Sequence, residues 1–144
     1  MKIRNKLNLL VIGLIISILP TFAAPNWVQI DNKEYIDTNS IRQENYLGLG
    51  YGNYYSLWAK WLNDGSKFFL DAESYYKTKM WYRLSQYYYD CSNKTFVAKS
   101  GVFYDLEGNP IQYTTLEDYN LSFISVVPGT IGDKMYDYVC TGRF

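Results

Sequence analysis

Histidine is absent from all 144 residues, and cysteine occurs only twice. Without an imidazole, most familiar metal sites lose their commonest nitrogen ligand, and every Ser-His or Cys-His nucleophilic arrangement is excluded. An excess of one charge is also missing. The 14 basic residues balance the 14 acidic ones, which leaves no basic field to draw in nucleic acid. Beyond Leu19 no apolar run approaches the roughly 20 residues that span a bilayer.

What is present begins with an export signature. Lys2, Arg4 and Lys6 precede an apolar run from Leu7 to Leu19, and Pro20-Thr21-Phe22-Ala23-Ala24 supplies a small-residue exit. This predicts a secretory signal peptide over residues 1–23, with an uncleaved N-terminal anchor as the alternative. Cleavage is expected between Ala23 and Ala24, because a cut one residue later would place Pro25 first. No cysteine stands near the exit to accept a lipid. Residues 24–144 then form a single domain with no transmembrane segment. Loss of Lys2, Arg4 and Lys6 leaves 11 basic against 14 acidic residues, a net charge of −3. Export carries both thiols into an oxidising compartment, where an even pair reads as a bridge. Cys91 and Cys140 are therefore expected to form a disulfide that ties a late segment to a strand far upstream.

All 16 tyrosines follow the signal, and such aromatic loading favours strands. Trp27 to Ile30 and Glu34 to Ile36 flank the polar Asp31-Asn32-Lys33, which predicts a hairpin. Asp37-Thr38-Asn39-Ser40 is expected to stop the second strand and open a helical turn through Ile41 and Arg42. Gly48, Gly50 and Gly52 resemble a dinucleotide loop only in spacing. The β-like Asn53-Tyr54-Tyr55-Ser56 follows them, so a bulged or loosened strand approach is expected. Tyr54 to Leu62 reads as a strand with Tyr55, Leu57, Ala59 and Trp61 on its apolar face, closed by a turn at Asn63 to Ser66. Residues 67–79 read as a loop with a short strand. Trp81 to Cys91 is a long strand with aromatics on both faces. Thr95 to Tyr104 follows, with Phe96, Ala98, Val102 and Tyr104 on one face. After a turn at Asp105 to Pro110, Ile111 to Thr114 and Leu121 to Val127 are further strand segments.

One helix is predicted at the end of the chain. Thr130 is placed to cap it, Asp133 sits in the first turn, and Gly142 supplies the stop. Gly132, Met135, Tyr136, Val139 and Cys140 share one helical face. Three turns of helix are not stable alone, so the helix needs a sheet to lie on, and Cys91 marks its docking strand. The fold class is α+β.

Several short segments in this order resemble the surface-adhesin protein E family of Gram-negative bacteria. They are Trp27-Val28-Gln29-Ile30, Tyr35-Ile36-Asp37-Thr38-Asn39-Ser40-Ile41, Tyr89-Asp90-Cys91, Tyr104 to Ile111, Val127-Pro128-Gly129-Thr130 and Tyr138-Val139-Cys140. The resemblance implies a twisted antiparallel sheet of about six strands, with the C-terminal α-helix tethered to one face by the disulfide. It also implies a homodimer and binding to host extracellular-matrix proteins at the cell surface. The namesake is a lipoprotein, however, and this chain has no lipid-acceptor cysteine. Nor does the namesake's ligand surface form a motif that maps onto numbered positions here.

The remaining candidates are side-chain clusters. Asp71 with Glu73, Asp105 with Glu107, and Glu117 with Asp118 are close carboxylate pairs, but each falls in or beside an expected turn and reads as solvated charge. Lys60, Lys67, Lys77, Lys79, Lys94 and Lys99 read as solubilising surface among acidic neighbours. Tyr54, Tyr55, Tyr75, Tyr76, Tyr87, Tyr88 and Tyr89 are the candidate aromatic binding surface, since adjacent strand residues face opposite ways and one helix covers only one face of a sheet. The expectation is an exported, non-enzymatic binding protein of the periplasm, cell surface or medium, without cofactor, metal or nucleic acid. The alternative is a periplasmic accessory or small-ligand-binding protein with no host partner.

Overall fold

The computed structural model describes residues 23–48 and 53–142. Residues 1–22 of the expected signal and residues 49–52 of the glycine-spaced run lie outside the described residues. Six strands form an up-and-down antiparallel meander: β1 Trp27–Asp31, β2 Glu34–Gln43, β3 Tyr54–Leu62, β4 Met80–Asp90, β5 Thr95–Asp105 and β6 Pro110–Thr115. A seventh, β7 Ile124–Ser125, pairs with Thr95 and Phe96 of β5. Two helices, α1 Lys67–Tyr76 and α2 Ile131–Tyr136, complete the fold. The class is α+β, as expected.

The registers define two faces. Glu34, Ile36, Leu57, Ala59, Trp61, Arg83, Ser85, Tyr87, Tyr89 and Phe103 share one face across β2 to β5. Both helices lie on this covered face. Its core is Ile36, Leu57, Ala59 and Tyr89 against Met135 and Val139 of the terminal helix, with Val28, Ile30, Tyr55, Phe96 and Tyr136 packed around them.

The terminal helix follows its sequence signals. Thr130 Oγ1 accepts from the Asp133 amide at 3.3 Å, and Asp133 in turn accepts from the Gly129 amide. The Gly129 bond and the neighbouring Lys94 hold the Asp133 carboxyl below its ordinary range. Met135 and Val139 are buried, and Gly132 packs so closely that an added Cβ would stand 3.3 Å from the Phe96 ring. After Tyr136 the helix widens into a π turn over Asp137–Thr141, which ends at Gly142 in the left-handed region (φ 63°). The disulfide joins Cys91 to Cys140 with Cα atoms 5.5 Å apart. Beside it, the Tyr136 hydroxyl donates to the Cys91 carbonyl at 3.1 Å, and the Tyr89 hydroxyl donates to the Gly132 carbonyl at 3.1 Å.

Four local expectations are corrected. Asp37 to Ser40 does not stop β2; it forms an irregularity within it. Asp37 accepts from the Asn26 and Asn39 amides, and Ser40 Oγ accepts from the Trp58 amide at 2.8 Å while donating to the Asp37 carbonyl. These side chains stand in for missing ladder bonds, so a polar run that reads as a terminator lies inside a strand.

Residues 67–76 are helical, not a loop with a strand. Of Phe68, Phe69 and Leu70 only Phe69 is buried. Phe68, Phe69 and Tyr76 gather around Phe103, with ring centroids 5.5, 6.0 and 6.2 Å from it. Glu73 lies on the same inward stripe, and its charge obscures the period. It accepts from the Met80 amide and from Asn63 Nδ2, and pairs with Lys79 at 2.7 Å.

The face of β5 also differs. Gln86 opposes Ser100 while Tyr87 opposes Ala98, so Lys99 is the extra residue of a bulge. A bulge reverses side-chain parity downstream. Phe96 and Ala98 therefore lie on the covered face, and Val102 and Tyr104 on the other. Finally, only Ile124–Ser125 of Leu121 to Val127 pairs as strand.

Candidate functional site

Neither α1 nor α2 lies on the other face of the sheet. One end is capped by the chain itself. Tyr46, Tyr54 and Phe123 cluster there with ring centroids 4.8 to 6.0 Å apart, and the Tyr46 hydroxyl donates to the Asp118 carbonyl. Away from that corner the registers place Trp27, Tyr35, Trp58, Lys60, Tyr82, Leu84, Val102, Tyr104 and Tyr113 side by side across β1 to β6. No described element packs across this centre. An open hollow of about 480 Å³ is lined by Pro25, Trp27, Asp37, Trp58, Leu84, Val102, Tyr104, Pro110 and Tyr113.

The side chains of this face brace one another. Tyr82 and Tyr104 stack with centroids 4.5 Å apart and planes 14° from parallel. Lys60 Nζ lies 4.4 Å from the Trp27 ring and 5.3 Å from the Tyr35 ring, and burial lowers the pKa of its ammonium. The lysine thus covers aromatic surface instead of meeting a carboxylate. Such a platform offers broad apolar area with polar tips, the composition that recurs at the centre of protein interfaces.

The seven tyrosines singled out from the sequence do not form one surface. Tyr54 belongs to the capped corner. Tyr88 is on the same face but buried near that corner, and burial, with the charges of Glu44 and Asp118, pushes its phenol up to about 12. Tyr55, Tyr87 and Tyr89 face the helices, and Tyr89 is wholly buried. Tyr75 and Tyr76 lie on α1, edge to face at 4.8 Å, with Tyr75 78% exposed. The aromatic face that is open uses Trp27, Trp58, Tyr82, Tyr104 and Tyr113 instead. One signal for it stood in the sequence: Trp58 falls on the side of β3 opposite Leu57 and Ala59, where a solvated strand would carry a polar residue.

The charged clusters are committed to structural partners. Asp71 pairs with Lys67, Glu73 with Lys79, Asp118 with Lys99 and Asp133 with Lys94. Asp105 accepts from the Glu107 and Asn109 amides in the β5–β6 turn. The pKa values of Glu73 and Asp105 are lowered, Glu73 first by Lys79 and Asp105 first by the Asn109 amide. A general acid needs the opposite shift. Of the six lysines singled out, Lys67, Lys79, Lys94 and Lys99 belong to these pairs, and Lys60 lies over the Trp27 ring. No helix among the described residues is long and apolar enough to cross a membrane.

No family model matches the sequence, and no curated relative matches it. Solved structures do. Crystal form II of Haemophilus influenzae protein E superposes with a TM-score of 0.57 at 16% identity, over 85% of this chain and 93% of that one. Protein E from non-typeable Haemophilus influenzae gives a TM-score of 0.54 at 15% identity, over 85% of this chain and 80% of that one. Identity at this level carries the architecture and not the ligand. The meander, the terminal helix and the Cys91–Cys140 tether are together a protein E-like fold.

Proposed function

We propose that the chain is an exported, non-enzymatic binding protein that presents the open aromatic face of its sheet to a protein partner, in the manner of an adhesin that contacts host extracellular-matrix proteins. The observation that carries this reading is the asymmetry of the sheet. Both α-helices cover one face, while half-buried Trp27, Trp58, Tyr82, Leu84 and Tyr104 and exposed Tyr113 occupy the other, with no described element across them. A large apolar patch left by a monomer marks an interaction surface. The disulfide favours an oxidising, extracytoplasmic compartment, which agrees with removal of residues 1–23 by cleavage after Ala23. A homodimer belongs to the same proposal, and sedimentation of the mature chain tests it.

The direct experiment measures binding of mature protein to immobilised vitronectin, laminin and plasminogen, beside Trp58→Glu and Tyr104→Glu variants. Binding to at least one, abolished by both substitutions in folded protein, supports the reading. Failure against all three sinks the adhesin version. Cell fractionation addresses the alternative: a wholly protease-inaccessible periplasmic pool favours an accessory role without a host partner.

A further inference from the structure

The covered face holds a second feature, independent of the open aromatic face. The two helices leave a groove of about 290 Å³ beside α1, whose walls include Glu34, Trp61, Phe68, Arg83 and Tyr87. The register explains its layout. Glu34 of β2 lies opposite Trp61 of β3, which lies opposite Arg83 of β4. An acid, an indole and a guanidinium thus stand in one row, and two strand spacings put the Glu34 and Arg83 backbones about 10 Å apart.

The Lys134 charge acts on Glu34 but is itself held by Asp31. Among the described residues no ion pair reaches Glu34 or Arg83. Arg83 instead lies against the Phe68 and Phe103 rings, at 5.1 and 5.5 Å, and its Nε is buried without a hydrogen-bond partner. Trp61 Nε1 is likewise buried and unpartnered. Burial raises the Tyr87 phenol, with the Arg83 charge and the neighbouring Ser85 and Trp61 donors acting against it, yet neither donor completes a hydrogen bond. At the Arg83 end two buried N–H donors, Arg83 Nε and Trp61 Nε1, meet no acceptor in hydrogen-bonding geometry. At the other end Glu34 accepts the Lys33 amide, and burial followed by repulsion from Asp31 and Asp64 raises its pKa against the pull of the Lys134 charge. Buried polar groups left unpaired are costly. The fold nevertheless makes room for this cation: a Cβ on Gly101 would stand 2.5 Å from Arg83 Nη2.

We propose that this groove binds a small zwitterion with an apolar body, of the size and charge spacing of an aromatic dipeptide, its carboxylate on Arg83 and its ammonium on Glu34. The termini of a dipeptide stand about 7 Å apart, a gap that the two side chains close from either end of the row. The guanidinium suits a carboxylate, and Trp61 and Phe68 supply the apolar wall. Glu34 and Asp64 at the groove disfavour phosphate and other multiply charged anions. The volume lies at the lower end of the range for small-ligand pockets.

Calorimetric titration of the oxidised mature protein with Phe-Gly, N-acetyl-Phe-Gly and Phe-Gly amide tests the assignment. Phe-Gly should bind saturably. The amide on wild type, and Phe-Gly on Arg83→Met, should each bind about 10- to 100-fold more weakly, the equivalent of losing a hydrogen bond to a charged group. Acetylation and Glu34→Gln should weaken binding without compounding each other. Gly101→Ala keeps the charge but displaces the guanidinium, and it should lose affinity as Arg83→Met does. Removal of an unpaired, partly buried cation should leave Arg83→Met melting at or above wild type, which separates lost binding from lost folding. Absence of Phe-Gly binding at millimolar concentration overturns the proposal, as does undiminished binding of the amide or by Arg83→Met. Undiminished binding of N-acetyl-Phe-Gly overturns the zwitterion in favour of a simple carboxylate. The open-face reading survives any of these failures, because it rests on the opposite face.

Discussion

Replacing Cys140 by Ser tests how far the tether, as distinct from packing, holds the terminal helix. The bridge closes a sequence separation of 49 residues. In the chain-entropy treatment a loop of that length restricts the unfolded state by about 4 kcal/mol. A domain of about 120 residues unfolds with an entropy near 0.25 kcal/mol/K, so the loss corresponds to a fall in Tm of about 16 °C. The folded state should change little. Met135 and Val139 stay buried, and the hydroxyls of Tyr89 and Tyr136 still bond across the same junction. Scanning calorimetry of oxidised wild type, reduced wild type and Cys140→Ser gives three melting points. The second and third should coincide well below the first, and reductant should not affect the variant. If oxidised wild type and Cys140→Ser melt within a few degrees of each other, the tether does not constrain the unfolded chain and the reasoning fails.

Three further outcomes follow from the same junction and from the carboxylates. Met135→Ala, at a side chain 1% exposed, should cost about 2–5 kcal/mol in chemical denaturation. Tyr89→Phe should cost about 1 kcal/mol by removing the buried bond to the Gly132 carbonyl, without altering secondary structure by circular dichroism. Asp31, Asp64, Glu73, Asp105 and Asp133 all have folded pKa values below their ordinary ones, owing first to hydrogen bonds from Lys134, Ser66, Lys79, the Asn109 amide and the Gly129 amide respectively. Below about pH 4 the unfolded chain therefore binds more protons than the native one, and stability should fall as pH drops through that window. Glu34, raised chiefly by burial, acts in the opposite sense. Denaturation midpoints between pH 6 and pH 3 should decline, and Asp105→Asn should make the decline shallower.

The sequence by itself determined the features that arise from local periodicity and chemistry. The cap at Thr130, the stripe through Met135 and Val139, the stop at Gly142 and the inward set Leu57, Ala59 and Trp61 all follow from spacing of 3.6 or 2 along one element. The pairing of Cys91 with Cys140 follows from an even cysteine count and the export signature expected of residues 1–23. Tertiary structure alone decided which side each aromatic occupies. β4 carries large residues on both faces, so its period is silent, and the parity of β5 turns on a single bulge at Lys99 that pairing with β4 imposes. It likewise decided that Asp37 and Ser40 serve as ladder partners inside β2, and that residues 67–76 coil around Phe103. Both depend on groups distant in sequence. The open aromatic face and the row of Glu34, Trp61 and Arg83 are products of register. Register is a relation between strands, and no single strand's sequence contains it.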